Sequence, residues 1–114
     1  MDGKYLEAEV YLRNAVALNS LEGDPAAVLA ETLMRQQRFS EAEPFIQHAL
    51  EVSPYKPGYR RVLAVCLEDQ GRLAEALEAA QSEQEKHPGE KQTQELLERL
   101  KRESGRTDSF SPSK

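Results

Sequence analysis

Three stretches of this chain align without gaps at one constant offset: GKYLEAEVYLRNAVALNS from Gly3, QRFSEAEPFIQHALEVSP from Gln37 and GRLAEALEAAQSEQEKHP from Gly71. Tyr5, Phe39 and Leu73 fall 34 residues apart, as do Ala8, Ala42 and Ala76. Ala15 and Ala49 repeat the spacing, and so do Pro54 and Pro88. The preceding segments align too, Leu29 with Leu63, Ala30 with Ala64 and Leu33 with Leu67. A fixed period of this size means that one supersecondary unit recurs and that each copy buries its apolar face against its neighbour. It excludes a fold built around one deep central core.

The local signals describe the unit as a pair of helices. Val28, Leu29, Thr32 and Leu33 form a stripe of helical period. Asp24-Pro25 reads as an N-cap followed by proline at the first helical position, where its missing N–H costs nothing. Ser40 and Glu43 have capping-box spacing and are expected to open a second helix after Phe39. Pro44 falls within that helix's first turn. Gly71 is expected to close a helix, and Ser53-Pro54-Tyr55-Lys56-Pro57-Gly58 breaks the chain between units. The alanines at 8, 42 and 76 are expected where two backbones approach closely.

The period, the Leu-small pairs Leu29-Ala30 and Leu63-Ala64, the aromatic or leucine after the turn, the second-helix alanine and the closing proline together resemble the tetratricopeptide repeat. The resemblance spans residues 1 to about 103 and implies an all-α solenoid of antiparallel helix pairs wound into a right-handed superhelix. Ala26 and Arg60 depart from the pattern, standing where a large apolar residue opens the first helix. Ala80 and Glu83 depart from it as well, in place of a bulky residue and a small one, which implies thinner packing in the last full repeat.

The expected organisation is a second helix of a partial repeat (1–22), complete repeats at 23–56 and 57–90, and a capping helix at 91–103. Leu96, Leu97 and Leu100 give that last helix one apolar side, and its polar remainder would seal the stack. Residues 104–114, rich in Ser, Gly and Pro, are expected to be a disordered tail.

Composition removes several function classes. Fifteen Lys and Arg against twenty Asp and Glu give the chain a charge of −5, the wrong sign for gripping phosphates, so no nucleic-acid partner is expected. The acid excess lies in the body; residues 91–114 carry six basic and four acidic groups. No apolar run could span a bilayer and the start lacks a signal-peptide pattern, so no membrane segment and a cytoplasmic setting are expected. Glu95, Glu98 and Glu103 interrupt the helix at 91–103, which argues against a membrane-surface role. One cysteine, Cys66, allows no internal disulfide and no cysteine-rich zinc site, and beside the leucine stripe it reads as a packed small hydrophobe. His48 and His87 stand 39 residues apart, and no phosphate-binding or metal-ligating motif occurs. No enzyme, metal or cofactor is therefore expected.

What is expected is a protein–protein interaction module. The resemblance implies that first helices line a concave groove. The residues recurring on that face are Asp24, Ala27, Glu31 and Met34, then Gly58, Arg61, Val65 and Glu68, continued by Gln92, Glu95, Arg99 and Arg102. The implied partner is a peptide or helix of another protein, with the chain acting as scaffold or adaptor. Relatives that dock acidic C-terminal peptides of heat-shock chaperones use a Lys, Arg and Asn clamp; here the matching rows read Ala27, Arg61, Glu95 and Glu31, Val65, Arg99. The asparagines are missing and two acids intrude, so that ligand is not expected. Two alternatives stay open. The chain could be a regulatory or targeting segment of a larger enzyme, such as a glycosyl- or sulfotransferase. It could also be a scaffold that self-associates through its first helix, whose Tyr5, Leu6, Val10, Leu12, Val16 and Leu18 would lack cover.

Overall fold

The computed structural model describes residues 3–18 and 21–109, with no account of the side chains at 3, 4 and 106–109. Among the described residues six helices follow one another: α1 (Gly3–Leu18), α2 (Asp24–Arg35), α3 (Phe39–Val52), α4 (Tyr59–Asp69), α5 (Leu73–Lys86) and α6 (Lys91–Ser109). No strand occurs among the described residues. Each helix packs on the next, and α2 also meets α4. The result is an elongated all-α stack of 51 × 33 × 22 Å, the helical-repeat solenoid that the period implied.

The core is two small clusters rather than one large one. Leu29, Leu33, Ile46 and Cys66 lie fully buried with the alanines of α2 and α3, whereas Ala64, Leu67, Ala76 and Ala80 join Leu96, Leu97 and Leu100. Ala42 and Ala76 have no exposed surface, as close helix approach demands; Ala8, at the end of the stack, is half-buried. Cys66 is packed too: its Sγ sits 3.3 Å from the Phe39 carbonyl, and burial pushes the thiol up from its ordinary range.

The helix starts differ from the expected caps. Gly23, not Asp24, is the N-cap of α2, and Pro25 lies within its first turn. Gly23 holds that place because a Cβ there would come within 3.0 Å of the Tyr59 ring and 3.1 Å of the Ala49 carbonyl. The Asp24 carboxylate instead accepts a hydrogen bond from the Tyr59 hydroxyl, which keeps it below the usual range. Ser40 and Glu43 form no capping box: α3 begins at Phe39 with Arg38 as N-cap and no side-chain cap bond. The Arg38 guanidinium donates to Glu41 one turn into the helix and to Glu9 on α1, at 2.7–2.8 Å for the shortest contacts. The cluster recurs 34 residues later, with Arg72 gripping Glu75 and Glu43. Arginines thus stand at the N-caps of both α3, where Ser40 was expected to cap, and α5, each tying a second helix to the second helix before it.

The ends of α2 and α4 follow one geometry. After α4, Gly71 at φ 78° places its N–H on the Glu68 carbonyl while Arg72 N–H reaches Leu67. After α2 the same two bonds run from Gln37 and Arg38 to Met34 and Leu33, with Gln37 held at φ 62°. At the far end α6 continues to Ser109, so residues 104–109, expected to be a disordered tail, are helical. The remainder of that expectation, 110–114, lies outside the described residues.

Candidate functional site

The first helices present a shared face. Glu31 and Met34 of α2, Arg61, Val62 and Val65 of α4, and Gln92, Leu96 and Arg99 of α6 line one open cleft of about 350 Å³. Six of the twelve groove residues expected from the sequence meet here: Glu31, Met34, Arg61, Val65, Gln92 and Arg99. Val62 and Leu96 belong to the floor and were not singled out, although they extend a row spaced by 34 residues from Val28.

Six expected residues do otherwise. Gly58 is the left-handed N-cap of α4 and Arg102 is exposed on α6, both outside the cleft lining. Ala27 is buried, 5% exposed, and supports the core rather than the cleft. Asp24 lies at the start of α2 in a separate depression with Lys56 and Tyr59, bonded to the latter and bridged to the former at 3.5 Å. The Glu68 carboxylate is covered by Arg99, its side chain 9% exposed. Glu95 is exposed on α6 and does not line the cleft. The period placed Asp24, Ala27, Glu68, Glu95 and Arg102 on the correct helices. It could not resolve which side of a first helix faces inward, since neighbouring rows differ by only one residue.

The electrostatics of the cleft are set by ion pairs within the chain. Arg61 donates to Glu90 at 2.9 Å and approaches the Thr93 hydroxyl at 3.4 Å. Arg99 meets Glu68 through two bonds of 2.9 and 2.7 Å, a bidentate pair that holds the Glu68 carboxyl below its usual range. Both cleft arginines are therefore occupied by carboxylates of this chain. The acids on the neighbouring rim are less well compensated. Glu31 is exposed, and Asp69, beside Arg35 and Met34, has its carboxyl pushed up by desolvation and by adjacent Glu68. Among the described residues no group of His, Cys, Asp and Glu is arranged to hold a metal ion, and no helix is long and apolar enough to cross a membrane.

At the other side of the stack's first layer, α1 carries an uncovered apolar surface. Leu6, Val10 and Leu18 are exposed, as is Tyr11, while Tyr5, Leu12 and Val16 are half-buried.

Comparison with known families matches residues 28–91 to a tetratricopeptide repeat model, and residues 1–54 to a second model with the same description. No curated protein matches the chain. Among solved structures, the first tetratricopeptide repeat domain of human RPAP3 superposes with a TM-score of 0.88 at 16% identity, covering 96% of this chain and 86% of that one. The second such domain of human RPAP3, solved with the HSP70 peptide SGPTIEEVD, gives 0.82 at 22% identity, over 87% and 82%. The Yersinia enterocolitica type III secretion chaperone SycD, solved with a peptide of the translocator YopD, gives 0.81 at 19% identity, over 90% and 83%.

Proposed function

The chain belongs to the tetratricopeptide repeat family, and on that premise we propose that its first-helix cleft binds an extended segment of another protein, with the chain acting as scaffold or adaptor. The observation that carries this reading is the cleft itself, an apolar floor of Met34, Val62, Val65 and Leu96 inside a charged rim, open along three successive first helices. The peptide-bound structures of SycD and of the second RPAP3 domain support peptide binding for a stack of this shape.

The chemistry of the segment follows from the ion pairs. A ligand carboxylate would have to compete with Glu90 and Glu68 for Arg61 and Arg99, and would meet Glu31 and Asp69 as like charges. A lysine or arginine next to an aliphatic side chain meets both features favourably, its charge toward Glu31 and Asp69 and its neighbour on the floor. The test is a peptide array read for binding of the intact chain, followed by anisotropy on the best sequences. Basic-aliphatic peptides are expected to bind, and Met34→Glu with Val65→Glu is expected to weaken them roughly tenfold or more. Unchanged affinity in that double variant rules out the cleft.

A second reading is favoured by α1. Leu6, Val10, Tyr11 and Leu18, between 56% and 83% exposed, suit contact with a further helix, including one from another copy. Light scattering over a concentration series is the check, and a monomer throughout removes self-association.

A further inference from the structure

A second cleft, of about 450 Å³, opens between the second helices α3 and α5, over the side of α4 away from the first-helix cleft. Leu50, Leu63, Leu67 and Ala79 form its apolar part, and Gln47 and Glu78 stand on its rim. The repeat provides an internal control for what this space is shaped to hold. Moving each residue back by one period lands on Val16, Leu29, Leu33 and Phe45, with Arg13 and Pro44 at the rim.

At that earlier interface, between α1 and α3, a phenylalanine stands where α5 has Ala79. Phe45 packs against the buried cluster containing Leu29 and Leu33, alongside Val16, and the Arg13 guanidinium lies 5.3 Å over its ring. Leu29 and Leu33 are completely buried in that cluster. Their counterparts are less well covered: Leu63 is half-buried and Leu67 keeps 4% of its surface. Removing a ring without filling the space leaves its lining short of contacts and accessible to water. Arg60, in the register of Ala26, lines the cleft without taking the place of that ring, its guanidinium donating to the Pro54 carbonyl.

We propose that the α3–α5 cleft is a binding site for one aromatic side chain presented by a partner protein, the ring taking the place that Phe45 fills in the preceding repeat. The site shares α4 with the first-helix cleft but none of its lining residues, its other walls being α3 and α5. Gln47 and the exposed Glu78 give its rim acceptors for a backbone N–H or a basic neighbour of that ring, as Arg13 neighbours Phe45.

The probe is a capped pentapeptide with one central phenylalanine between glycines, and its alanine counterpart is the control. Methyl NMR of the intact chain is expected to show saturable shifts at Leu50, Leu63 and Leu67 with the phenylalanine peptide alone. Filling the cleft from within by Ala79→Phe is expected to weaken the peptide by roughly tenfold or more and to raise the melting temperature. Opening the earlier interface by Phe45→Ala is expected to create a second set of shifts, at Val16, Leu29 and Leu33. Equal shifts with the alanine peptide, or shifts that persist in Ala79→Phe, overturn the proposal, and Ala79→Phe decides it even where Phe45→Ala does not fold. Phe110→Ala tests the chain's own tail as the source of the ring. Unchanged pentapeptide affinity supports an external partner, whereas tighter binding assigns the cleft to Phe110 and overturns the partner.

Discussion

The two complete repeats share a backbone register and differ in what fills it. On α3 the buried positions are Ile46 and Ala49, with Phe45 beside them; on α5 the same positions carry Ala80, Glu83 and Ala79. The first repeat is closed by apolar side chains. The second is closed partly by a carboxylate: fully buried Glu83 accepts the Gly58 N–H at 2.8 Å and so joins α5 to the start of α4. Helix spacing nevertheless survives these exchanges, because the alanines at 42 and 76 and the turns at 37 and 71 are retained. The frame is set by small residues and turn geometry, and large side chains decide how tightly each layer is filled.

The largest effect should come from making the first repeat resemble the second. Ile46→Ala, which installs the α5 residue on α3, is expected to cost about 3 kcal/mol through lost burial and the cavity left behind. Urea denaturation measures it as a lower midpoint at constant slope. A loss below about 1 kcal/mol would mean that the first repeat collapses onto small residues as readily as the second, and the contrast would vanish.

Glu83 tests the other half of the comparison. Glu83→Ala leaves the Gly58 N–H buried without its acceptor and is expected to cost about 1–3 kcal/mol. Glu83→Gln keeps an oxygen for that N–H and should lose clearly less. Equal losses in the two variants would show that the acceptor is not what Glu83 contributes.

Most of the frame could be read from the chain, and the reasons for the exceptions are specific. The 34-residue period located all six helices, because helical stripes and Gly or Pro breaks act over a few residues. The Ser40 cap was misassigned because Arg38 finds Glu9 29 residues away, a partnership no local pattern encodes, and the Asp24 cap because Asp24 binds Tyr59 35 residues on. Six of the twelve expected cleft residues converge, since the period fixes the helix but not the facing row. Ala79 was equally visible as sequence; its meaning required seeing Phe45 in the matching interface.

The two turns differ at a single position and offer a smaller, signed test. Gln37 and Gly71 both adopt left-handed backbone, which costs a residue bearing a Cβ roughly 1–2 kcal/mol. Gln37→Gly is expected to stabilise by up to about 1 kcal/mol after the added freedom of the unfolded chain is deducted, and Gly71→Gln to destabilise by a similar amount. Shifts of the same sign would show that the turns are not equivalent. Calorimetry on both variants is sufficient.

Acid provides the finest comparison, because both turns carry an arginine cluster but only one reaches a carboxylate shared with a second arginine. The Arg38 guanidinium, assisted by Arg13, holds the Glu9 carboxyl below the usual range, and Glu41 and Glu75 are lowered by Arg38 and Arg72. A carboxyl that is more acidic folded than unfolded stabilises fully above its unfolded value, and that contribution fades as pH falls through the folded one. The melting temperature is therefore expected to hold near neutrality and to decline once pH drops below about 4.3, the ordinary glutamate value. The Glu9 side chain is 10% exposed and contacted by two arginines, whereas the Glu43 side chain is 16% exposed and has Arg72. Arg38→Ala should accordingly flatten the acid decline more than Arg72→Ala does. If both variants keep the parent's slope, the clusters join the helices without contributing to acid stability, and the two turns are electrostatically alike.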